Sequence, residues 1–313
     1  MLMNITFKQL RYFDALAREL HFGRAADACS ITQPALSMQI QELETLLGLS
    51  LVERTRSGIK LTPKGAEIAV RARKLLNDAH DLVDFAKHSA GVLSGTLRFG
   101  VIPSIAPYLL PPLLPLLKSE YPDLELHLRE TQTQPLTDDL CNGKLDVLLL
   151  ALPLKHPDIE TLHLFEDRFF LASPKSRKPS GRVRATKELI EHERLLLLEE
   201  GHCLRDQALN YCNLRQASTI NTFGASSLST ITEMVAAGMG ITLLPEISLL
   251  VEGRGRELSL MRFADPEPSR SIGLAWRRTS SRSGEFKALG QVVLAAGQAL
   301  LKRTAAAKTV AAH

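Results

Sequence analysis

The sequence predicts an α/β protein headed by a small all-α unit, and three observations carry that reading. Apolar residues recur at helical spacing near the N-terminus, an unbroken heptad stripe follows, and strand–helix alternation begins at Leu97. The expected organisation is a helical head at 5–62, a long helix and hinge at 63–92, an α/β part at 93–303 and a disordered tail at 304–313.

A chain of 313 residues can bury two or three cores. Its 38 basic and 34 acidic residues leave a net charge of +4, which permits an anionic partner without demanding one. The N-terminus lacks a basic flank with an apolar segment, and no run of about 18 apolar residues occurs, so a cytoplasmic protein without a membrane partner is expected. Four cysteines in that compartment do not make a structural disulfide set; any disulfide is expected to be transient and redox-sensing. There is no C-x-x-C pair and no H-x-x-x-H, so neither a metal nor a cofactor is expected.

In the head, Phe7, Leu10, Phe13, Leu16, Ala17 and Leu20 recur at helical spacing. Phe22 to Cys29 forms a short second helix rich in small residues, which allows close packing. Thr32 is the expected N-cap of a third helix, with Pro34 tolerated in its first turn. That helix buries Leu36, Ile40, Leu43 and Leu47 and starts its other face with Gln33, Ser37, Met38, Gln39 and Gln41. Short uncharged hydrogen-bonding side chains at that position suit base edges in a major groove. Glu53 to Thr62 reads as a two-stranded wing whose Arg54, Arg56 and Lys60 reach phosphates or the minor groove. A helical bundle with a solvated polar face is the competing reading. Small-residue helix, turn, capped helix and basic wing together favour a winged helix-turn-helix on double-stranded DNA.

Pro63 opens a helix running to about Ala90. Ile68, Ala72, Leu75, Ala79, Leu82 and Ala86 alternate spacings of four and three, a stripe that one helix cannot bury on itself. It is read as a dimerisation helix, against a helix packed on its own domain, with Gly91 to Gly95 as the hinge.

From Leu97 the expected strands are Leu97–Ile102, Leu124–Arg129 and Val147–Leu152, with helices at Ile105–Glu120 and Leu136–Cys141. The first of these helices is loosened by Pro107, Pro111, Pro112 and Pro115. Two further strands, Leu162–Phe165 and Phe169–Ser173, lead to a second α/β half and a returning strand at Arg270–Trp276. Two lobes joined by two crossings make a clamshell. Ligands in such folds bind beyond the carboxyl ends of strands, where Ser104 and Thr133 fall. Either hydroxyl also serves as a plain helix cap.

Within the second half, Leu195–Leu198 reads as a buried strand, Gly201 as a turn and Leu204–Tyr211 as a short amphipathic helix. Cys203 thus stands at a helix N-terminus between His202 and Arg205, and cations and helix N-termini favour thiolate. Cys212 lies nine positions on. On one helix the two sulfurs would face opposite ways, roughly 13 Å apart along the axis, whereas a disulfide needs Cα atoms within about 7 Å. A bond between them would melt the segment. The bland alternative is two ordinary small core residues.

Several of these motifs resemble a known family. Phe22 to Asp27, Thr32-Gln33-Pro34-Ala35-Leu36-Ser37, Leu43-Glu44, Leu47-Gly48, Leu51-Val52-Glu53-Arg54 and Leu61-Thr62 are similar to the head of LysR-type transcriptional regulators. Gly201-His202-Cys203-Leu204-Arg205-Asp206-Gln207-Ala208 with Cys212, Ile102-Pro103, Pro107 to Pro111, Gly143 to Asp146 and Ala236 to Pro245 resemble its peroxide-sensing OxyR branch. The resemblance spans residues 4 to about 303. It implies a two-lobed, periplasmic-binding-protein-like regulatory domain and a homodimer or homotetramer on an operator, working with RNA polymerase.

It further implies that hydrogen peroxide oxidises Cys203 to a sulfenic acid, that Cys212 resolves it, and that a thiol reductant resets the pair. Ser104, Thr133, His202, Arg205, Asp206 and Arg270 are the implied peroxide-holding or thiolate-activating residues. Thr32, Gln33, Pro34, Ser37, Met38, Arg54 and Arg56 are the candidate DNA contacts. Ser104 replaces the family's usual threonine, losing the methyl that fixes the rotamer. Two other functions remain open: a LysR-type regulator of a small organic effector held between the lobes, and a thiol peroxidase with a DNA-binding appendage.

Overall fold

The computed structural model describes residues 5–55, 58–87, 93–177, 184–191, 193–212 and 220–311. They divide into two compact units, Met1–Lys87 and His88–His313, each with its own hydrophobic core.

In the first unit, α1 (Phe7–Glu19) begins with a capping box. The Thr6 hydroxyl accepts from the Gln9 N–H, and the Gln9 side chain accepts from the Thr6 N–H. α2 (Phe22–Ala28) and α3 (Gln33–Leu47) follow, and the Thr32 hydroxyl accepts from the Ala35 N–H at 3.4 Å. Leu36, Ile40 and Leu43 are buried as the spacing predicts, against Phe13, Leu16 and Ala25. β1 (Val52–Thr55) and β2 (Gly58–Leu61) form the expected antiparallel wing. Glu44 ties the wing to α3, its Oε1 accepting from the N–H groups of Leu51 and Val52 at 2.7 and 3.3 Å. α4 (Pro63–Lys87) crosses closely over this corner: a Cβ on Gly65 would lie 2.0 Å from the Leu51 carbonyl oxygen, so only glycine fits.

The heptad stripe divides between two uses. Ala69 and Ala72 are buried, and Ile68 and Leu76 pack on the head's core. Leu75 and Leu82 are 52% and 67% exposed, and Val83 is exposed beside them. Packing on its own domain therefore explains the start of the stripe and, among the described residues, leaves Leu75, Leu82 and Val83 exposed within the first unit. Of the expected hinge at 91–95, residues 91 and 92 lie outside the described residues, and Leu93 is buried in the second unit's core.

The second unit alternates as expected. β3 (Gly95–Val101) pairs in parallel with β4 (Leu124–Glu130) and β5 (Val147–Leu152) across α5 (Ala106–Glu120) and α6 (Thr133–Cys141). α5 runs unbroken through its prolines. Where two strands were expected there is one, β6 (Ile159–Pro174). Phe165 and Phe169 belong to a single sixteen-residue strand because Glu166, Asp167 and Arg168 between them continue the ladder against the returning strand. α7 (Lys187–Glu191), β7 (Leu195–Leu198), α8 (Cys203–Cys212), β8 (Ile220–Ala225), α9 (Leu228–Ala236) and β9 (Thr242–Pro245) build the second lobe.

β7 and β8 are parallel neighbours, and β9 pairs with the later half of β6. α10 (Leu249–Glu252) and β10 (Leu258–Arg262) complete that lobe. β11 (Ser269–Arg277) then returns the chain to the first lobe, pairing with β5 and with the earlier half of β6. The final helix, α11 (Ser283–Ala311), does not stop near Arg303. Thr304, expected in a disordered tail, is buried and bonds its hydroxyl to the Leu300 carbonyl at 3.0 Å. The alanines of 305–307 and 311 favour carrying the helix on past Arg303. No helix among the described residues is long and apolar enough to cross a membrane.

Candidate functional site

Cys203 opens α8 at the end of the turn that follows β7, and its side chain is partly buried against the core. Gly201 makes that turn with φ 90°, and a Cβ there would meet the Gln132 side-chain oxygen at 2.5 Å. Gln132, just before α6 of the first lobe, donates to the Glu200 carbonyl at 3.3 Å. The absence of a side chain at Gly201 thus lets the lobes close up around the thiol. Thr133 follows Gln132. Its hydroxyl is buried without a conventional hydrogen-bond partner among the described residues, and it lies where it acts on the Cys203 thiol.

Beneath the thiol lies a charged triplet shared by both crossings. Arg270 on β11 is fully buried and pairs through Nε and Nη2 with Asp167 on β6 at 3.0 and 2.9 Å. Nη1 donates to Ser104 Oγ at 2.7 Å and Nη2 to the Ser104 carbonyl at 3.0 Å. The Ser104 rotamer is therefore set by Arg270, and the looseness expected from the missing threonine methyl does not arise from the hydroxyl's own freedom.

Burial pushes the Cys203 thiol above its ordinary value, against the pull of Arg270, the Thr133 hydroxyl and the Leu204 N–H. The expected activation by local cations is thus overcome by desolvation. Asp206, exposed in the first turn of α8, pushes the thiol up as well, opposite to the thiolate-favouring role expected of it. Arg205 donates to the Leu198 carbonyl at 3.1 Å, and the cation that acts on the sulfur is Arg270. His202 is buried beside Cys203, with Nε2 3.7 Å from a Glu199 carboxylate oxygen.

α8 holds Cys203 and Cys212 at its two ends. The Cys212 side chain lies outside the described residues, as do Arg56 and the side chain of Arg54. In the first unit, Thr32, Gln33, Pro34 and Met38 are exposed and Ser37 half-buried along the start of α3.

Residues 7–66 match the bacterial regulatory helix-turn-helix protein family of lysR type, and residues 90–298 match the LysR substrate binding domain. The chain belongs to the LysR family, in its OxyR branch. It is 44% identical over 283 residues to a probable hydrogen peroxide-inducible genes activator of Streptomyces viridosporus, covering 90% of this chain and 91% of that one. It is 39% identical over 293 residues to the DNA-binding transcriptional dual regulator OxyR of Escherichia coli K12, covering 94% and 95%. A hydrogen-peroxide-bound mutant of Corynebacterium glutamicum OxyR superposes with a TM-score of 0.66 at 36% identity, covering 97% of both chains.

In this LysR protein the residues brought together around the thiol are Ser104, Thr133, His202 and Arg270, all anticipated. Asp167 was missed. Its signal in the sequence is alternation: Asp167 falls two places after Phe165 and two before Phe169, on the core-facing side of a strand.

Proposed function

We propose that this chain is a DNA-binding regulator that senses hydrogen peroxide through Cys203. The observation carrying the reading is the placement of that thiol at the α8 N-terminus, beside the buried Thr133 hydroxyl and the Arg270–Ser104 pair. Those groups suit a small polar peroxide, with hydroxyls to hold its oxygens and a cation to favour the attacking sulfur. The names of the relatives support the same reading.

In the proposed step, Cys203 thiolate attacks one peroxide oxygen. The O–O bond breaks, the other oxygen leaves as hydroxide and takes up a proton, and Cys203 is left as a sulfenic acid. Cys212 thiolate then attacks that sulfur, the S–O bond breaks, and a second water leaves as the disulfide forms. Two electrons pass from the thiol pair to peroxide. A dithiol reductant reverses this by thiol–disulfide exchange.

Because α8 separates its ends by roughly 13 Å, the helix must unwind for the bond to close. That rearrangement is the signal to the DNA-binding part, with a dimer or tetramer on the operator and RNA polymerase as the partner that reads it. Mass spectrometry of the full chain before and after stoichiometric peroxide is the test. A Cys203–Cys212 linkage is expected, and an unmodified Cys203 would leave the organic-effector reading standing.

On the DNA side, Gln33→Ala and Ser37→Ala are expected to relax operator specificity, since a base-edge pair contributes about 1–3 kcal/mol. Arg54→Ala should instead weaken binding to all DNA and flatten its salt dependence. Binding by Gln33→Ala that is unchanged on every sequence would mean that α3 does not read bases.

A further inference from the structure

Asp167 takes no part in the steps above, yet it is the most buried charge beside the thiol site. Its side chain is fully enclosed. Oδ1 accepts from the Ile247 N–H at 3.1 Å, and Oδ2 receives the Arg270 guanidinium on two nitrogens. Arg270 also donates twice to Ser104, once to its hydroxyl and once to its carbonyl. The guanidinium is thus gripped on two sides and cannot turn toward the sulfur without breaking contacts to β6 and to the loop after β3.

Charge matters as much as position. Arg270 is the strongest favourable charge acting on Cys203. Burial pushes the Asp167 carboxyl up, while the Arg270 guanidinium and the Ile247 N–H pull it down and favour the carboxylate; so paired, Arg270 presents the thiol with something close to a dipole, whose field falls off faster than that of a full charge. Without the carboxylate, the guanidinium would be left in a dry site lacking a counter-ion. Cys203 is then a group able to become one by losing its proton. Other charged or titratable groups face the same region from neighbouring elements: Glu246 before Ile247, Asp206 on α8, and the neutral Tyr108 phenol on α5, which donates to Glu252 at 2.7 Å. They are unchanged by substitution at Asp167.

We propose that Asp167 is a positioning residue for the thiol: it fixes the Arg270 guanidinium and cancels most of its charge, and so sets how strongly Arg270 acts on Cys203. The inference rests on Cys203 being the reacting thiol of the proposed function. Asp167 acts as a brake. It keeps the thiol largely protonated at neutral pH while holding in place the cation that will stabilise the thiolate when it forms.

The test reads Cys203 by the pH dependence of its alkylation with iodoacetamide, resolved by peptide mass spectrometry on the full chain. Asp167→Asn is expected to raise the alkylation rate at neutral pH about tenfold, a fall of about one pKa unit. Arg270→Met is expected to slow it. Adding Asp167→Asn to Arg270→Met should change nothing further, because a carboxylate buried without its guanidinium takes up a proton and is already neutral. An equal shift in both backgrounds, or no shift with Arg270 present, overturns the proposal.

Should Asp167→Asn alone fail to fold, Arg270→Met and the double variant decide between them. A difference above about twofold would mean that Asp167 acts on the thiol without Arg270. Iodoacetamide requires no peroxide, so the two readings separate. If the variants titrate as stated while peroxide leaves Cys203 reduced, sensing fails and the role of Asp167 stands. If peroxide oxidises Cys203 and the variants titrate alike, the reverse holds.

Discussion

Cys203→Ser protein is expected to remain in its reduced form under stoichiometric peroxide, while Cys212→Ser stops at a sulfenic acid or a mixed disulfide. Replacing Cys29 or Cys141 should alter neither outcome. The size of the effect follows from α8, whose ten residues carry the two thiols at opposite ends. Moving a two-state element from one side nearly fully to the other takes about 5.5 kcal/mol. The disulfide must supply that against the lost helix, and about 1.4 kcal/mol corresponds to 30 mV for a two-electron couple. The oxidised form should therefore be more easily reduced than a structural disulfide, with a potential above about −300 mV.

Hydrogen exchange over Leu204–Tyr211 in both redox states, beside a redox titration, measures this. Equal protection in the two states, or a potential below that limit, would sink the helix-melting account. Because burial holds the Cys203 thiol above its ordinary value, the rate with peroxide should climb about tenfold per pH unit through the neutral range. A flat profile there would mean that the thiolate is already formed.

Leu75→Asp combined with Leu82→Asp should convert the protein to a monomer and abolish operator binding, leaving the second unit folded. Both leucines are largely exposed on α4, in a stripe whose earlier positions already pack on the head. A leucine buried against a partner helix contributes about 1.5–3 kcal/mol, and an aspartate in its place adds the cost of an unpaired charge. A helix-turn-helix monomer also keeps only half of a two-part operator's contacts. Sedimentation of the double variant decides the matter. A dimer of undiminished stability would assign the stripe to something else.

The legibility of this chain was uneven for physical reasons. The capped third helix was readable because Thr32 with Pro34, and Leu36, Ile40 and Leu43 at i, i+4 and i+7, leave few other conformations that bury those leucines. The turn before Cys203 was readable from Gly201 after four leucines. β8 was not, since Asn221, Thr222 and Gly224 dilute its apolar pattern and its pairing with β7 is nonlocal. The direction of the Cys203 shift was also out of reach. His202 and Arg205 stand beside it in the chain, but desolvation depends on residues brought from both lobes, and the guanidinium that matters lies 67 positions away at Arg270. Asp167 escaped for the same reason. A carboxylate on the core-facing side of a strand, between Phe165 and Phe169, needs a partner, and only the fold says which.

The single strand β6 bears on how such a molecule signals. Sixteen residues of strand span about 50 Å, and past one bulge at Leu164 the ladder passes directly from β11 to β9 and β10 at Arg168–Phe169. Jaws that open and shut need a crossing whose backbone can exchange partners. Here one crossing is a splint, its hydrogen bonds committed on both sides of the midpoint. On the mechanism proposed above, unwinding α8 would change the outline of one flank of this plate, and a neighbouring subunit resting there would read it. Distances measured between the two lobes are the quantity that oxidation should leave alone.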